Sequence, residues 1–234
     1  MKTITSDTPA SDAGAYMQDK ILSHAHEHIL CMISGGSALT VLEAIDATRL
    51  RSNVTIVFVD ERFTNDRKGN NFTQLTQTNF YKSAREVGVQ FIDSTVQTNE
   101  TLESFTQRLN HAFNDYFKIH SSTYTIGLFG IGEDGHTAGI FPMSESDFIG
   151  TFETEDLYVS ITNKALTYPY RTTVTPTCIE EKIDEVILFA VGSSKCDNIL
   201  NYMHNKNFTH YQIPALIPAQ HPQSILFTDC HTLL

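Results

Sequence analysis

Short apolar runs rich in β-branched residues recur along the chain and alternate with amphipathic segments. The runs cover residues 29–33, 54–59, 125–129, 157–161, 186–191 and 224–227. Apolar residues three and four positions apart predict helices over 39–45, 71–84 and 102–117. Near-continuous hydrophobic strands that alternate with helices are typical of a parallel sheet covered on both faces. The pattern predicts an α/β fold: a three-layer, Rossmann-like sandwich with a twisted, mostly parallel sheet and helices on both faces.

Capping residues and prolines refine this outline. Thr-Asn-Glu-Thr at 98–101 precedes the helix at Leu102, and Gly-Ser-Ser at 192–194 precedes a helix predicted over 195–202. Five of the seven prolines lie in the last third of the chain, where we expect the sheet to depart from purely parallel order. Because no repeat or low-complexity linker divides the chain, we expect a single domain over residues 1–234.

Composition narrows the classes of partner. The chain has 234 residues and a formal net charge of -11, which works against nonspecific binding to nucleic acid or to an anionic membrane. No segment reaches the ~18 apolar residues that a membrane span requires, and the first dozen residues do not resemble a signal peptide. An anionic substrate would therefore have to be met by a local cluster of cations.

The four cysteines, Cys31, Cys178, Cys196 and Cys230, lie far apart and form no CxxC pair. This spacing predicts reduced thiols and a cytoplasmic protein. Cys31 lies inside an apolar run and is expected to be a small buried hydrophobe.

Four loops that follow predicted strands carry the candidate chemistry. They cover residues 34–37, 60–71, 130–136 and 192–195, and in open parallel sheets ligands bind outside the carboxyl ends of the strands. The third loop presents His136 from a glycine-rich turn. Because imidazole titrates near neutrality, His136 is a candidate general base, and Asp134 is placed to hold its tautomer.

The other loops offer groups that bind anions. Ser-Gly-Gly-Ser at 34–37 can turn backbone N–H groups toward an anion, although alone it also reads as a plain glycine turn. Arg62, Arg171 and Lys195 add positive charge close to predicted strand ends. Each of these cations alone also reads as an ordinary surface charge.

Dinucleotide binding is a competing interpretation of the third loop. Gly130, Gly132 and Gly135 satisfy the GxGxxG pattern. However, Glu133 and Asp134 would place two carboxylates where a pyrophosphate should lie. The pattern also falls past the middle of the chain, so we do not predict a dinucleotide.

A metal site is a second competing interpretation. His24, His26 and His28 alternate, which could place three imidazoles on one face of a strand. They lack HExxH spacing, and we expect them to be solvated. Nothing else in the sequence requires a metal or a cofactor, and neither is predicted.

Taken in order along the chain, these segments resemble the 6-phosphogluconolactonase family from about Ile29 to Asp229. The specific signature is Gly-x-Gly-x-Asp-Gly-His-Thr-Ala followed by Phe-Pro, at 130–142. Weaker elements are Ser-Gly-Gly-Ser at 34–37, Asp-Glu-Arg at 60–62, Asn at 71, Pro-x-Arg-x-Thr-x-Thr at 169–175 and Gly-x-x-Lys at 192–195. Departures such as Gly-Ile at 139–140, where Ser-Leu is usual, remove no group that could do chemistry.

The resemblance implies hydrolysis of 6-phospho-D-glucono-1,5-lactone to 6-phosphogluconate, in the oxidative pentose phosphate pathway, without a cofactor. It implies that His136 activates water, assisted by Asp134. The residues it implies for binding the sugar phosphate are Ser34, Gly35, Gly36, Ser37, Asp60, Arg62, Asn71, Arg171 and Lys195. We expect a monomer or a small homo-oligomer.

Two other functions stay open. Glucosamine-6-phosphate deaminases share this fold, but their Asp-Gly-His element continues into Asn-Glu-Pro, where this chain has Ile140-Phe141-Pro142. An apolar side chain cannot relay a proton, which disfavours deamination. A sugar-phosphate sensor would bind without turnover, but the short polar amino terminus fits no DNA-binding segment and the intact Asp-Gly-His favours catalysis.

Overall fold

A seven-stranded parallel sheet forms the centre of the computed structural model, which describes residues 1–196 and 207–231. Its strands are β1 (Lys2–Thr5), β2 (His28–Ile33), β3 (Val54–Phe58), β5 (Gln90–Phe91), β6 (Thr123–Gly130), β9 (Glu185–Ala190) and β10 (Ser224–Thr228). They lie in the order β1-β10-β9-β6-β2-β3-β5, and every neighbouring pair is parallel. The predicted α/β fold with a mostly parallel sheet is confirmed.

Helices cover both faces of this sheet. Those with both ends inside the described ranges are α1 (Pro9–Ser23), α2 (Leu39–Glu43), α3 (Asn71–Leu75), α4 (Asn79–Glu86), α5 (Leu102–Ile119), α6 (Glu145–Phe152), α7 (Pro176–Lys182) and α8 (Leu216–Ala219). Within the described ranges, none of the helices combines the length and the apolar character needed to cross a membrane.

The two faces of β2 show why its sequence is apolar throughout. Leu30 and Met32 lie in a core shared with α5 and α7, whereas Ile29, Cys31 and Ile33 lie in a second core shared with α1 and α2. Successive side chains of a strand point to opposite faces, so a strand between two helical layers needs apolar residues at every position. This is the physical basis of the runs in the sequence.

A smaller antiparallel sheet accounts for the departure from parallel order. It contains β4 (Asp60–Arg62), β7 (Tyr158–Thr162) and β8 (Tyr170–Val174), in the order β4-β8-β7. The run at 157–161 therefore joins this sheet and not the central one. The departure begins earlier in the chain than the prolines suggested. In its register, Arg62 lies directly opposite Arg171.

Helix prediction succeeds best where capping chemistry is clear. Thr101 caps α5 in a capping box with Ser104, as expected. The segment predicted as one helix over 71–84 is divided into α3 and α4, because Thr78 forms a new N-cap by accepting a hydrogen bond from the Tyr81 N–H. Residues 193–196 are helical, and the rest of the helix predicted over 195–202 lies outside the described residues.

The cysteines require a correction. Cys196 and Cys230 form a disulfide across a sequence separation of 34 residues, so the prediction of four reduced thiols is wrong for this pair. Spacing along the chain could not show that the fold brings the two residues together, with their Cα atoms 5.3 Å apart. Cys31 and Cys178 are free and buried, and burial raises the pKa of each thiol to about 12. Because two of the four cysteines form a disulfide, the cysteines no longer support the predicted cytoplasmic location.

Candidate active site

A polar cavity of about 310 Å³ opens at the carboxyl ends of the central strands. The loops after β2, β6 and β9 border it, together with β4 and β8 of the smaller sheet. It is lined by Ser34, Gly35, Gly36, Ser37, Asp60, Arg62, Gly130, Ile131, Gly132, Glu133, His136, Ala138, Arg171 and Lys195. Five separate regions of sequence thus meet where an open parallel sheet is expected to bind its ligand.

Most of the predicted site residues line this cavity, and two do not. Asp134 reaches it only through His136. Asn71 is fully buried, and its side-chain amide donates to the carbonyl oxygen of Asp60 at 3.0 Å. Because no surface of Asn71 is open to the cavity, the expectation that it binds substrate directly is corrected: Asn71 supports the cavity wall from behind.

A tight turn after β6 presents His136. The N–H of Gly132 donates to the His136 carbonyl at 2.8 Å, and the N–H of Gly135 donates to the Gly132 carbonyl at 3.0 Å. Gly135 has a φ of 83°, a left-handed conformation that glycine adopts at little cost. A side chain at Gly132 would overlap both His136 and Asp134. The glycines of the signature are therefore needed to bring the histidine back over its own turn.

Asp134 fixes the orientation of the imidazole. Its Oδ1 lies 2.5 Å from His136 Nδ1 and also accepts the His136 backbone N–H at 3.1 Å. Burial acts to raise the pKa of Asp134, but the hydrogen bonds and charge of His136 outweigh it and hold this pKa below its usual value. A carboxylate at Nδ1 leaves Nε2 as the ring nitrogen available to a ligand.

Phe141 contacts His136 and Arg171, and its place in the site was not predicted from the sequence. Its ring centroid lies 4.8 Å from that of His136, and the guanidinium carbon of Arg171 lies 5.5 Å from the same ring centroid. The ring is buried and forms part of the Phe-Pro that ends the signature. In the sequence, only its place in that signature indicated a role in the site, since an apolar residue at this position is equally consistent with a core residue.

Two arginines lie side by side at the cavity wall. Arg62 on β4 and Arg171 on β8 are cross-strand partners, and like charges in directly opposite positions destabilise a sheet. Asp60 offsets part of this repulsion, with its Oδ2 3.4 Å from Arg171 Nη1. Burial lowers the pKa of Arg171, Asp60 opposes that shift, and Arg62 adds to it. The wall thus holds two guanidiniums, with the Asp60 carboxylate beside that of Arg171.

The glycine loop at 34–37 is held by its neighbours on both sides. The Ser34 N–H donates to the Leu128 carbonyl at 2.8 Å, and Ser34 Oγ accepts the Gly130 N–H at 3.2 Å. Gly35 lies so close to the Asn71 side chain that a Cβ at this position would overlap it. The loop is therefore fixed to β6 on one side and to Asn71 on the other.

The loop that carries Lys195 meets the histidine turn. Ser194 Oγ donates to Glu133 at 2.6 Å, and the Gly192 N–H donates to the Asp229 carboxylate at 3.0 Å. The neighbouring Cys196 is tied to Cys230 by the disulfide. Lys195 thus reaches the cavity from a segment anchored at several points.

Metal ligation receives little support from the described residues. Their one group of three closely spaced ligand types is Cys196, Asp229 and Cys230, in which the two sulfurs are bonded to each other. Among the alternating histidines, His24 stacks on Tyr124 with ring centroids 3.6 Å apart, whereas His28 faces His120. These histidines contact different neighbours and do not converge on one point.

Comparison with known proteins identifies a matching family model and solved structures with a similar fold. The family model for glucosamine-6-phosphate isomerases/6-phosphogluconolactonase matches residues 5–226. The 6-phosphogluconolactonase of Thermotoga maritima is 16% identical, with a TM-score of 0.75 over 97% of this chain and 99% of that one. The enzyme of Shewanella baltica OS155 is 17% identical, with a TM-score of 0.74 over 97% and 96%.

A monomeric glucosamine-6-phosphate deaminase is similar to the same degree, at 17% identity and a TM-score of 0.74 over 100% of both chains. Identities this low show a shared fold. No curated protein sequence matches the chain. Because the family model spans nearly the whole sequence, the chain belongs to the family of glucosamine-6-phosphate isomerases and 6-phosphogluconolactonases.

Proposed function

We propose that the protein hydrolyses 6-phospho-D-glucono-1,5-lactone to 6-phosphogluconate. The observation that carries this proposal is the pairing of His136 with Asp134 in the same cavity as Arg62, Arg171 and Lys195. A base next to a group of cations suits a substrate that has an anionic end and a bond open to attack by water. Family membership supports the same choice of substrate class.

His136 acts as the general base in this proposal. With Nδ1–H donated to Asp134, Nε2 accepts a proton from the water that attacks the lactone carbonyl. The imidazolium then returns this proton to the departing ring oxygen, and Asp134 stabilises the positive charge in the interval. Such general acid–base catalysis contributes about 10²–10⁴-fold. A lactone is already an activated ester, so no covalent intermediate with the protein is needed.

The two arginines and Lys195 hold the phosphate. A phosphate dianion near Arg62 and Arg171 relieves the repulsion between these cross-strand partners, and Arg offers two parallel N–H donors to phosphate oxygens. The backbone N–H groups at 34–37 add neutral donors on the opposite side. Holding this remote group fixes the carbonyl relative to the attacking water.

Deamination of glucosamine 6-phosphate is the competing reaction. Phe141 occupies the position where the resemblance places the carboxylate of the deaminases, and it is buried. A buried hydrocarbon side chain cannot transfer a proton to an amine or a ring oxygen. Lactone hydrolysis needs only the base that the cavity contains, and we therefore place it first.

The test of the base is the His136→Ala variant, assayed on fresh lactone with correction for spontaneous hydrolysis. We expect kcat to fall by about 10²–10⁴-fold while the circular dichroism spectrum stays that of the wild type. His26→Ala is the matched control, because His26 is exposed before β2, at the opposite end of the strands. Near wild-type turnover by His136→Ala would reject the assignment.

The phosphate site is tested separately with Arg171→Ala. We expect inorganic phosphate or 6-phosphogluconate to raise the melting temperature of the wild type more than that of this variant. Arg51→Ala, at an exposed position before β3, should be protected like the wild type. Equal protection of all three proteins would exclude Arg171 as a ligand. Binding by the wild type with no rate enhancement would instead support a sensor.

A further inference from the structure

Glu61 is a buried carboxylate that the proposed mechanism does not use. It lies on β4 between two cavity residues, Asp60 and Arg62, and its relative exposure is 1%. An ionisable group this deep is costly unless its environment supplies several hydrogen bonds. The hydrogen-bond partners of the Glu61 carboxylate therefore indicate its structural role.

Four donors from three segments surround the Glu61 carboxylate. Oε1 accepts the backbone N–H groups of Arg62 at 2.8 Å and of Asn71 at 2.7 Å. Oε2 accepts the Phe72 N–H at 2.9 Å and the Ser94 hydroxyl at 2.8 Å. Both oxygens are thus used twice, and the carboxylate joins β4, the first turn of α3 and the loop at Ser94.

Two of these segments, β4 and α3, support different parts of the cavity. The Asn71 side chain donates to the Asp60 carbonyl and lies against Gly35 of the glycine loop. Arg62, whose backbone Glu61 holds, donates from Nη1 to the Gly69 carbonyl at 2.9 Å. A shift of the carboxylate would therefore move the arginine strand and the support of the glycine loop together.

We infer that Glu61 is a positioning residue, which holds the strand of Arg62 and the Asn71-backed glycine loop in the arrangement that binds the substrate's phosphate. The inference rests on the proposed function. The Glu61→Gln side chain has nearly the same shape, but its amide NH₂ cannot accept a hydrogen bond. It must turn that group toward one of the backbone N–H donors, and the opposed donors push the segments apart.

The sign of the effect separates positioning from simple electrostatics. Removing a negative charge near an anion site strengthens anion binding if only Coulomb energy matters. A positioning role predicts the opposite, namely weaker binding after the carboxylate is lost. Inorganic phosphate, measured by titration calorimetry with the full chain, is a suitable ligand because its binding does not depend on turnover.

We expect Glu61→Gln to raise the Kd for inorganic phosphate and the KM for lactone by about tenfold, with a smaller change in kcat. Glu185→Gln is the matched control. Glu185 is also a buried carboxylate with several side-chain donors, but it lies at the amino end of β9, opposite the cavity. This control should lower the melting temperature and leave the Kd and KM within about twofold.

A folded Glu61→Gln with unchanged or tighter phosphate binding overturns the inference, as does an equal loss of binding in Glu185→Gln. If Glu61→Gln does not fold, Ser94→Ala removes one donor and should raise the Kd about two- to threefold; an unchanged Kd again overturns it. Lactone turnover by the wild type is scored separately. If the wild type binds phosphate but does not hydrolyse lactone, the proposed function is rejected, and the Kd values of Glu61→Gln and Glu185→Gln still test the inference. If the wild type binds no phosphate, the inference is rejected.

Discussion

At the scale of single residues, the site is a set of charges held close together in a chain that is negative overall. Arg62 and Arg171 face each other across two strands, Asp60 lies beside Arg171, and the Glu61 carboxylate is enclosed behind them. Single charges on an exposed surface are screened by water, whereas buried ones depend on their neighbours. Substitutions at these positions should therefore have large and specific effects.

Glu61 makes the stability of the protein depend on pH in a defined direction. Burial raises its pKa to about 7, against hydrogen bonds that favour the carboxylate, whereas the usual value is 4.5. Because the pKa of Glu61 is higher in the folded than in the unfolded protein, folding is coupled to proton uptake at pH values between the two pKa values. The stabilisation that this proton provides is fully present below the unfolded pKa and is lost as the pH rises through about 7.

We therefore expect the free energy of unfolding of the wild type, minus that of Glu61→Gln, to decrease between about pH 5 and about pH 8. Urea denaturation of both proteins across this range measures the difference, and titrations common to both cancel. Parallel stability curves for the two proteins would contradict this assignment of the pKa.

At the scale of elements, the chemistry is placed by short turns at strand ends, and these turns were the most predictable part of the site. Glycine spacing identified the turn that presents His136, and the buried runs identified β2, β3, β6, β9 and β10. In contrast, the sequence of β4 predicts a charged loop, because all three of its residues, Asp60, Glu61 and Arg62, are ionisable. Tertiary pairing with β8 makes it a strand, which a local pattern cannot show.

Other elements were missed for related reasons. β1 is an edge strand with partly exposed residues, so it lacks the continuous apolar run of a central strand. α1 buries small or scattered residues such as Ala13 and Met17, and its apolar stripe is weak. The family resemblance implied that Asn71 belongs with the site, but only the fold shows that it lies behind the cavity wall.

The histidine turn has no room for a side chain at Gly132. Gly132→Ala should displace His136 and Asp134, because a Cβ at Gly132 would overlap both side chains. We expect kcat to fall by about ten- to a hundredfold, as small misplacements of catalytic groups commonly cause. Gly150→Ala on α6 is the control, since a Cβ there meets no atom within 4 Å. Equal activity of the two variants would show that the turn tolerates the added methyl group.

At the scale of the whole molecule, the disulfide joins segments that are distant in sequence. Cys196 follows the cavity lysine, and Cys230 follows the last central strand. Cross-linking restricts the unfolded chain, and a bridge of this kind stabilises by about 2–4 kcal/mol. This bridge could not be predicted from the sequence, because cysteine pairing depends on three-dimensional proximity and not on spacing.

We expect the double variant Cys196→Ser, Cys230→Ser to lose about 2–4 kcal/mol of unfolding free energy in urea denaturation. Dithiothreitol should lower the stability of the wild type by a similar amount and leave the double variant unchanged, because the two remaining cysteines are free thiols. A wild type insensitive to the reductant, with no loss in the double variant, would contradict a stabilising bridge.

The order of the strands also constrains how the chain can fold while it is being made. β1 leaves the ribosome first, yet its neighbour in the sheet is β10, which is synthesised last. At about 5–20 residues per second, β1 waits roughly 10–40 s for its partner. β2 pairs with both β3 and β6, and these three strands are complete much sooner. During synthesis the central sheet can therefore assemble from the β5 edge toward β10, and β1 is among the last of its strands to be fixed.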